Sequence, residues 1–263
     1  MDINKNSYTF GFAAIMVILV AALLSFAAMQ LKPLQDRNIE LETKQNILRS
    51  VGINVERNDA EIPYEENIKQ AIVLNIDGEE IEGVVAEDID LAVELKKDPK
   101  DQRYPIYISE KEGNKRYIIP LRGKGLWGPI WGYIALEDDL NTVYGAVFDH
   151  KSETPGLGAE INRPLFQDPF RGKVIYNENG EFVSIRVAKG TLYEKDMHAV
   201  DGIAGGTITS TYGVTNMLKE RLEKYLPYFR KHRPEAEVTE IMEFMDQEER
   251  SDSAEDYVES FIN

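Results

Sequence analysis

The segment Asp201 to Val214 reads DGIAGGTITSTYGV and concentrates residue types that can hold a phosphate. Gly202, Gly205 and Gly206 precede Thr207 and permit a tight turn with close backbone approach. Thr207, Thr209, Ser210 and Thr211 then offer four hydroxyls just ahead of a helix predicted from Val214. Free N–H groups at a helix start suit an anion. The same residues would also make an ordinary polar strand–turn–helix junction with hydroxyl caps, and composition alone leaves both readings open. A P-loop is excluded, because G-x-x-x-x-G-K-[ST] is absent.

Two earlier segments carry further candidates. His150 to Gly158 reads HKSETPGLG and contains Glu153, Thr154, Leu157 and Gly158; Gly125 to Gly132 reads GLWGPIWG and contains Leu126 and Trp127. Taken singly, each has a plain structural reading. Pro155-Gly156 is a turn signal, Glu153 could be a solvated loop carboxylate, and Trp127 and Trp131 would serve as core or hairpin aromatics.

The elements that must position these residues are mostly strands. Ala71–Ile76 and Ile81–Val85 flank Asp77-Gly78, and Val174–Tyr176 and Phe182–Val187 flank Asn177–Gly180. Such glycine-containing turns supply the positive φ of tight hairpins. Tyr104–Ser109 pairs in the same way with Arg116–Leu121, and Ile130–Leu136 with Thr142–Asp149. One helix is marked by Val214, Met217, Leu218, Leu222 and Tyr225 at helical spacing, with Pro227 just past them. The pattern is antiparallel rather than a βαβ series, and no G-x-G-x-x-G follows a strand. The fold class is therefore α+β: one N-terminal transmembrane helix, then an antiparallel-sheet domain with flanking helices.

Composition narrows the chemistry. The 263 residues are 43% hydrophobic and allow one folded domain plus appendages. A net charge of −16 argues against nucleic acid as a partner. The absence of cysteine excludes disulfides, protein-ligated iron–sulfur clusters and c-type haem. The three histidines, His150, His198 and His232, do not stand at ligand spacing, so no metal site is expected.

Phe10 to Met29 is apolar and uncharged. It exceeds the apolar core of a cleaved signal and lacks an A-x-A site, so residues 10–31 are expected to remain as a membrane anchor. Lys5, Lys32 and Arg37 flank it without deciding its orientation. Residues 32–57 read as a connecting helix, with Ile39, Thr43, Ile47 and Leu48 near one face and Gly52 as a stop. Asn58–Asn67, which holds Pro63, reads as a linker at the start of the main domain, 58–233. The acidic stretch 234–263 is either a helix that docks on a partner or a solvated tail.

The residues around Thr207 closely resemble the flavin-attachment motif D-G-x-S-G-A-T-x-T-S. That motif belongs to the NqrC family, a component of the Na⁺-translocating NADH:quinone reductase, and is shared by the RnfG component of the related Rnf electron-transport complex. Asp201, Gly202, Gly205, Thr207, Thr209 and Ser210 match it, while Ala204 replaces serine and Gly206 replaces alanine. The HKSETPGLG and GLWG segments resemble the family's H-x-x-E-T-P-G-L-G and G-L-W-G. Leu31-Lys32-Pro33 and Gln45-Asn46-Ile47-Leu48 resemble NqrC in particular. The likeness runs from the anchor to about Tyr225.

The resemblance implies FMN held covalently, as a phosphoester on Thr207, in a flavin core of about residues 120–226. A threonine hydroxyl is a weak nucleophile without a base. No histidine or lysine lies within two residues of Thr207, so a separate flavin transferase is expected to attach the cofactor. Trp127 or Leu157 is expected to pack on the ring, with Glu153, Thr154 and Gly158 near its polar edge. Thr209 and Ser210 are expected to bond the phosphate or ribityl chain. Asp201, Gly205, Gly206 and Leu126 complete the expected cofactor set.

The resemblance also implies an inner-membrane protein with residues 1–9 cytoplasmic and the flavin domain periplasmic. It would relay electrons between an intramembrane iron–sulfur centre and the flavin of NqrB, with NqrB, NqrD and NqrE as partners in a six-subunit assembly. The whole complex would couple NADH oxidation by ubiquinone to sodium export. The uncharged span holds no ion path of its own. Three alternatives stand beside this: a component of the RnfG type, a non-redox membrane-tethered binding module, and an enzyme with exchangeable FMN.

Overall fold

A computed structural model describes residues 6–111, 113–189 and 196–233; the tail 234–263 lies outside the described residues. The chain divides into two compact units, residues 1–67 and 68–263.

The first unit is built on α1, Asn6–Ser50, a single helix of 45 residues. At 1.5 Å per residue it is about 68 Å long, more than twice a hydrocarbon core. It carries no charge before Lys32, and its apolar stretch is long enough to cross a membrane. The connecting helix expected from residue 32 continues directly from the anchor, because α1 runs through Pro33; it stops at Ser50, short of the expected end at residue 57. Pro33 removes one backbone donor, but the helical bonds on either side hold the axis. Gly52, at φ 78°, closes the end, with its N–H donating to the Arg49 carbonyl. Leu41, Ile47 and Leu48 are buried, whereas Ile39 is exposed.

The expected linker 58–67 is helical. A short 3₁₀ turn, Arg57–Asp59, leads into α2, Glu61–Asn67. Pro63 falls in its first turn, where a missing N–H costs no helical bond. Arg37 and Lys44 of α1 both reach Glu61.

The second unit opens with β1, Ile68–Leu74, followed by the short α3, Leu91–Glu94. Then come β2 Tyr104–Lys111, β3 Asn114–Lys124, β4 Pro129–Leu136 and β5 Val143–His150. The five strands form an antiparallel meander in the order β1-β2-β3-β4-β5. Alternate residues point to one face: Ile119 and Leu121 of β3, Ile130 and Ile134 of β4, and Phe148 of β5 enter the core. Phe148 meets Phe166 and Phe170 from the segment that contains α4, Pro164–Gln167.

Two of the four expected hairpins form as ladders, β2–β3 and β4–β5. The other two are reduced to single bridges, Leu74 with Glu80 and Tyr176 with Phe182. The backbone explains both. Gly83 at φ 76° turns the chain out of extension after the first, and Ser184 at φ 61° does so after the second. Past Ser184, β6 (Arg186–Ala188) pairs in parallel with β7 (Ala199–Asp201), an arrangement the hairpin pattern does not anticipate.

From β7 the chain enters a π-helical turn, Ile208–Val214, that runs directly into α5, Thr215–Leu222. The helix expected from Val214 therefore begins a turn and a half earlier, at Thr207. Pro227 does not end the helical region. It sits in the first turn of α6, Leu226–His232. Met217, Leu218, Leu222 and Phe229 close the core over the sheet.

Glu94 ties down the loop between β1 and β2. It is 2% exposed and accepts from Arg103 Nε (3.0 Å), Arg103 N–H (3.2 Å) and Lys97 Nζ (2.6 Å). Burial pushes its carboxyl up, but the Arg103 and Lys97 bonds outweigh that and hold it below the usual range. A depressed folded value gives stability that is present above the unfolded pKa, about 4.3, and lost as pH falls through the folded one. Glu94→Gln should therefore lower the melting temperature at pH 7 and flatten its decline below about pH 4.3. Thermal unfolding across that range checks both.

Candidate functional site

The site forms at one end of the sheet, where three segments meet. The first is the tight turn joining β3 to β4, closed by the Gly125 N–H donating to the Gly128 carbonyl (2.8 Å). The second is the loop after β5, residues 151–158. The third is the Gly202–Val214 segment delivered by β7. The β6–β7 pair extends through the Gly202 N–H, which donates to the Ala188 carbonyl (2.7 Å), and so fixes where that segment starts.

Thr207 stands at the opening of the π-helical turn with α-region dihedrals, φ −56° and ψ −40°. A helix has no carbonyl of its own for its first N–H groups, here those of Thr207, Ile208 and Thr209. Gly205, at φ 79°, makes the turn into it. A Cβ on Gly205 would lie 2.6 Å from Leu157 Cδ2, and one on Gly206 would lie 2.8 Å from the Leu157 carbonyl oxygen. The Gly202–Thr207 segment and the 151–158 loop therefore touch backbone to backbone.

Glu153 joins all three segments. It is 5% exposed, its Oε1 accepts from the Trp127 N–H (2.8 Å) and its Oε2 accepts from the Thr209 hydroxyl (2.6 Å). Thr209 Oγ1 accepts in turn from the Leu126 N–H (3.3 Å). The Glu153 N–H donates to His150 Nδ1 (3.2 Å), and Ser152 Oγ donates to the Trp127 carbonyl (3.2 Å). Ser210 Oγ donates to the Gly206 carbonyl and accepts from the Ile203 N–H, both at 3.0 Å.

The structure thus brings together Leu126, Trp127, Glu153, Leu157, Gly158, Gly205, Gly206, Thr209 and Ser210 around Thr207. It does not give them all the expected parts. Thr209 and Ser210 are buried, with hydroxyls committed to protein groups rather than offered to a phosphate. Glu153 faces inward for the same reason: a buried carboxylate needs donors, and the nearest are the chain's own. The Thr154 side chain is exposed; its carbonyl accepts from the Leu157 and Ala159 N–H groups. Asp201 is exposed at the end of β7, and its carboxylate joins none of these hydrogen bonds. Residues without an assigned part in the sequence reading also contribute. Ser152 and His150 brace the loop, and Thr215 Oγ1 accepts from the Val187 N–H (2.8 Å). Their only signal was position inside or just beyond the quoted segments.

Around Thr207 the surface is apolar. Leu126, Trp127, Leu157, Ile208 and Tyr212 are all more than 40% exposed. Ile208 and Tyr212 stand about one turn apart and share a face of the helix. Uncovered apolar side chains beside an open helix start suit a ligand with a phosphate and a flat apolar ring. Thr211 Oγ1, in the same turn, is buried and unpartnered. These features fit a flavin mononucleotide. Among the described residues no group of His, Asp or Glu could hold a metal ion.

Comparison with known proteins agrees. The family profile of the FMN-binding domain matches residues 125–223, which span all three segments. The NqrC component of the Na(+)-translocating NADH-quinone reductase from Haemophilus ducreyi is 32% identical over 234 residues, covering 82% of this chain and 90% of the relative. Its counterpart from Pseudomonas aeruginosa is 39% identical over 140 residues, 49% of this chain and 53% of its own. The crystal structure of the counterpart from Parabacteroides distasonis superposes with a TM-score of 0.69 at 43% identity, over 76% of this chain and 96% of that one. Shewanella oneidensis NqrC, at 24% identity and a TM-score of 0.61, shares the fold.

The glycines at this junction should resist substitution. A Cβ on Gly158 would lie 2.5 Å from Glu153 Oε2 and 2.8 Å from Thr209 Oγ1. Gly158→Ala should destabilise the domain by about 1–3 kcal/mol, seen as a lower melting temperature. Gly158 does not take a positive φ, so the loss would come from the steric clash and not from backbone strain.

Proposed function

The chain belongs to the NqrC family of the Na(+)-translocating NADH-quinone reductase, and we propose that it carries FMN as a phosphoester on Thr207 and relays electrons within that complex. The observation that carries the reading is Thr207 itself. It opens a helical turn beside exposed apolar side chains, inside a segment matched by the FMN-binding domain.

When bound, FMN supplies an isoalloxazine ring that accepts and returns one or two electrons; the protein positions it and sets its surroundings. The first N–H groups of the Thr207 turn face the phosphate end, and the positive end of the helix favours that charge. Trp127 and Leu157 flank the attachment point and offer the ring apolar contact. The covalent link keeps the cofactor at a site whose apolar walls stay open. An open ring can meet a donor and an acceptor in turn.

Thr207 has no adjacent histidine or lysine to take its proton, so a flavin transferase makes the bond: the Thr207 oxygen attacks the FMN phosphorus of FAD, the pyrophosphate bond breaks and AMP leaves. The apolar stretch of α1 is long enough to cross a membrane; on this reading it anchors the chain, with residues 1–9 cytoplasmic and the flavin domain periplasmic. NqrB, NqrD and NqrE are its partners, and sodium export coupled to quinone reduction belongs to the assembled complex. The span carries no charged side chain that could conduct an ion.

Intact mass after denaturing desalting tests this, using protein co-expressed with its flavin transferase. Wild type should gain the mass of one FMN residue, and Thr207→Ala should gain nothing and lose in-gel flavin fluorescence. Flavin that dissociates on denaturation would instead establish a noncovalent site. The purified chain should show no NADH oxidation.

A further inference from the structure

We propose that Glu153 is a positioning residue that mounts Trp127 rigidly beside the Thr207 attachment point; the inference rests on the flavin reading and deepens it. Trp127 is 66% exposed, yet its backbone N–H and C=O are both hydrogen-bonded. Its N–H donates to Glu153 Oε1 at 2.8 Å, and its carbonyl accepts from Ser152 Oγ at 3.2 Å. The adjoining Leu126 N–H donates to Thr209 Oγ1 at 3.3 Å, and that hydroxyl donates onward to Glu153 Oε2 at 2.6 Å. One carboxylate therefore couples the turn that presents the indole to the helical turn that presents Thr207.

The fit is steric as well as polar. A Cβ on Gly125 would fall 2.5 Å from Glu153 Oε1, and a Cβ on Gly158 would fall 2.5 Å from Oε2. The carboxylate occupies a slot that only glycine leaves on either side. Burying it would be costly unless both oxygens were bonded. The Trp127 N–H and the Thr209 hydroxyl meet that need, and in doing so they lock the turn. Glu153 turns no oxygen outward, so it acts on the ring through Trp127 and Leu126. An aromatic wall held in place before the ring arrives loses little freedom when the ring docks, which is the advantage of a rigid mount.

The test uses the full chain co-expressed with its flavin transferase, as wild type, Glu153→Ala, Glu153→Gln and Thr209→Val. Intact mass reports flavin occupancy, visible circular dichroism reports how the bound ring is held, and hydrogen exchange reports the Leu126 and Trp127 amides. In Glu153→Ala and Thr209→Val those amides should exchange about tenfold faster, the scale of one lost hydrogen bond. The flavin dichroism should collapse while the sheet amides stay protected. Glu153→Gln should restore Trp127, because its amide oxygen still accepts. Unchanged dichroism and exchange in Glu153→Ala would overturn the proposal. If that variant does not accumulate, the same result in the isosteric Thr209→Val would overturn it. Glutamine that fails to rescue would assign the effect to charge and overturn the positioning role. A wild type without covalent flavin would sink the flavin reading instead. Amide exchange in the flavin-free chain would then decide the mount by itself.

Discussion

A carboxylate buried at the end of a sheet must find donors, and Glu153 finds them in two other segments. Its oxygens take the Trp127 N–H and the Thr209 hydroxyl, and glycines at 125 and 158 leave the space it fills. Desolvation makes this interaction decisive. In water the same bonds would be exchangeable, but a buried charged acceptor left without its donors costs its full desolvation penalty, more than the bonds contribute net. The turn after β3, the loop after β5 and the start of the Thr207 helix are thereby held as one arrangement.

The sheet and helix make that meeting possible. The β3–β4 turn and the end of β5 lie at the same end of an antiparallel meander, because β5 returns alongside β4 with Ile130 opposite His150. The helix then has to approach the sheet closely. Gly123 allows this, since a Cβ there would lie 2.7 Å from Met217 Cβ. Gly213 does the same at the helical turn, where a Cβ would lie 2.9 Å from the Lys124 carbonyl. The parallel β6–β7 pair delivers Gly202 to the remaining side. Each contact is backbone against backbone or side chain, which is why small residues cluster there.

The two departures from the family's attachment motif also acquire a physical reading. Ala204 is exposed, so a serine in its place would add no buried hydroxyl. Gly206 packs under the Leu157 carbonyl, with no room for the alanine methyl unless the neighbouring loop yields. The exposed apolar side chains of Leu126, Trp127, Leu157, Ile208 and Tyr212 leave this site open-walled, unlike a pocket that holds its ligand by enclosure.

The sequence by itself determined the class of fold, the anchor and the three segments that make the site. Apolar runs and glycine turns are local signals, and the β2–β3 and β4–β5 hairpins follow from them. Thr207 stands out in the sequence because hydroxyls and glycines cluster around it, and because the cluster resembles a known motif. What the sequence could not decide was the direction of side chains and the choice of partners. Glu153, Thr209 and Ser210 read as ligands for the cofactor, yet burial turns all three toward the protein. Burial is a property of the packed chain, not of the residue type. The hairpins at Asp77-Gly78 and Asn177–Gly180 failed to extend because Gly83 and Ser184 take left-handed backbone angles. The parallel pairing of Arg186–Ala188 with Ala199–Asp201 joins strands that share no turn signal. Such long-range pairings are set by the competition for one core, and only the tertiary structure resolves it.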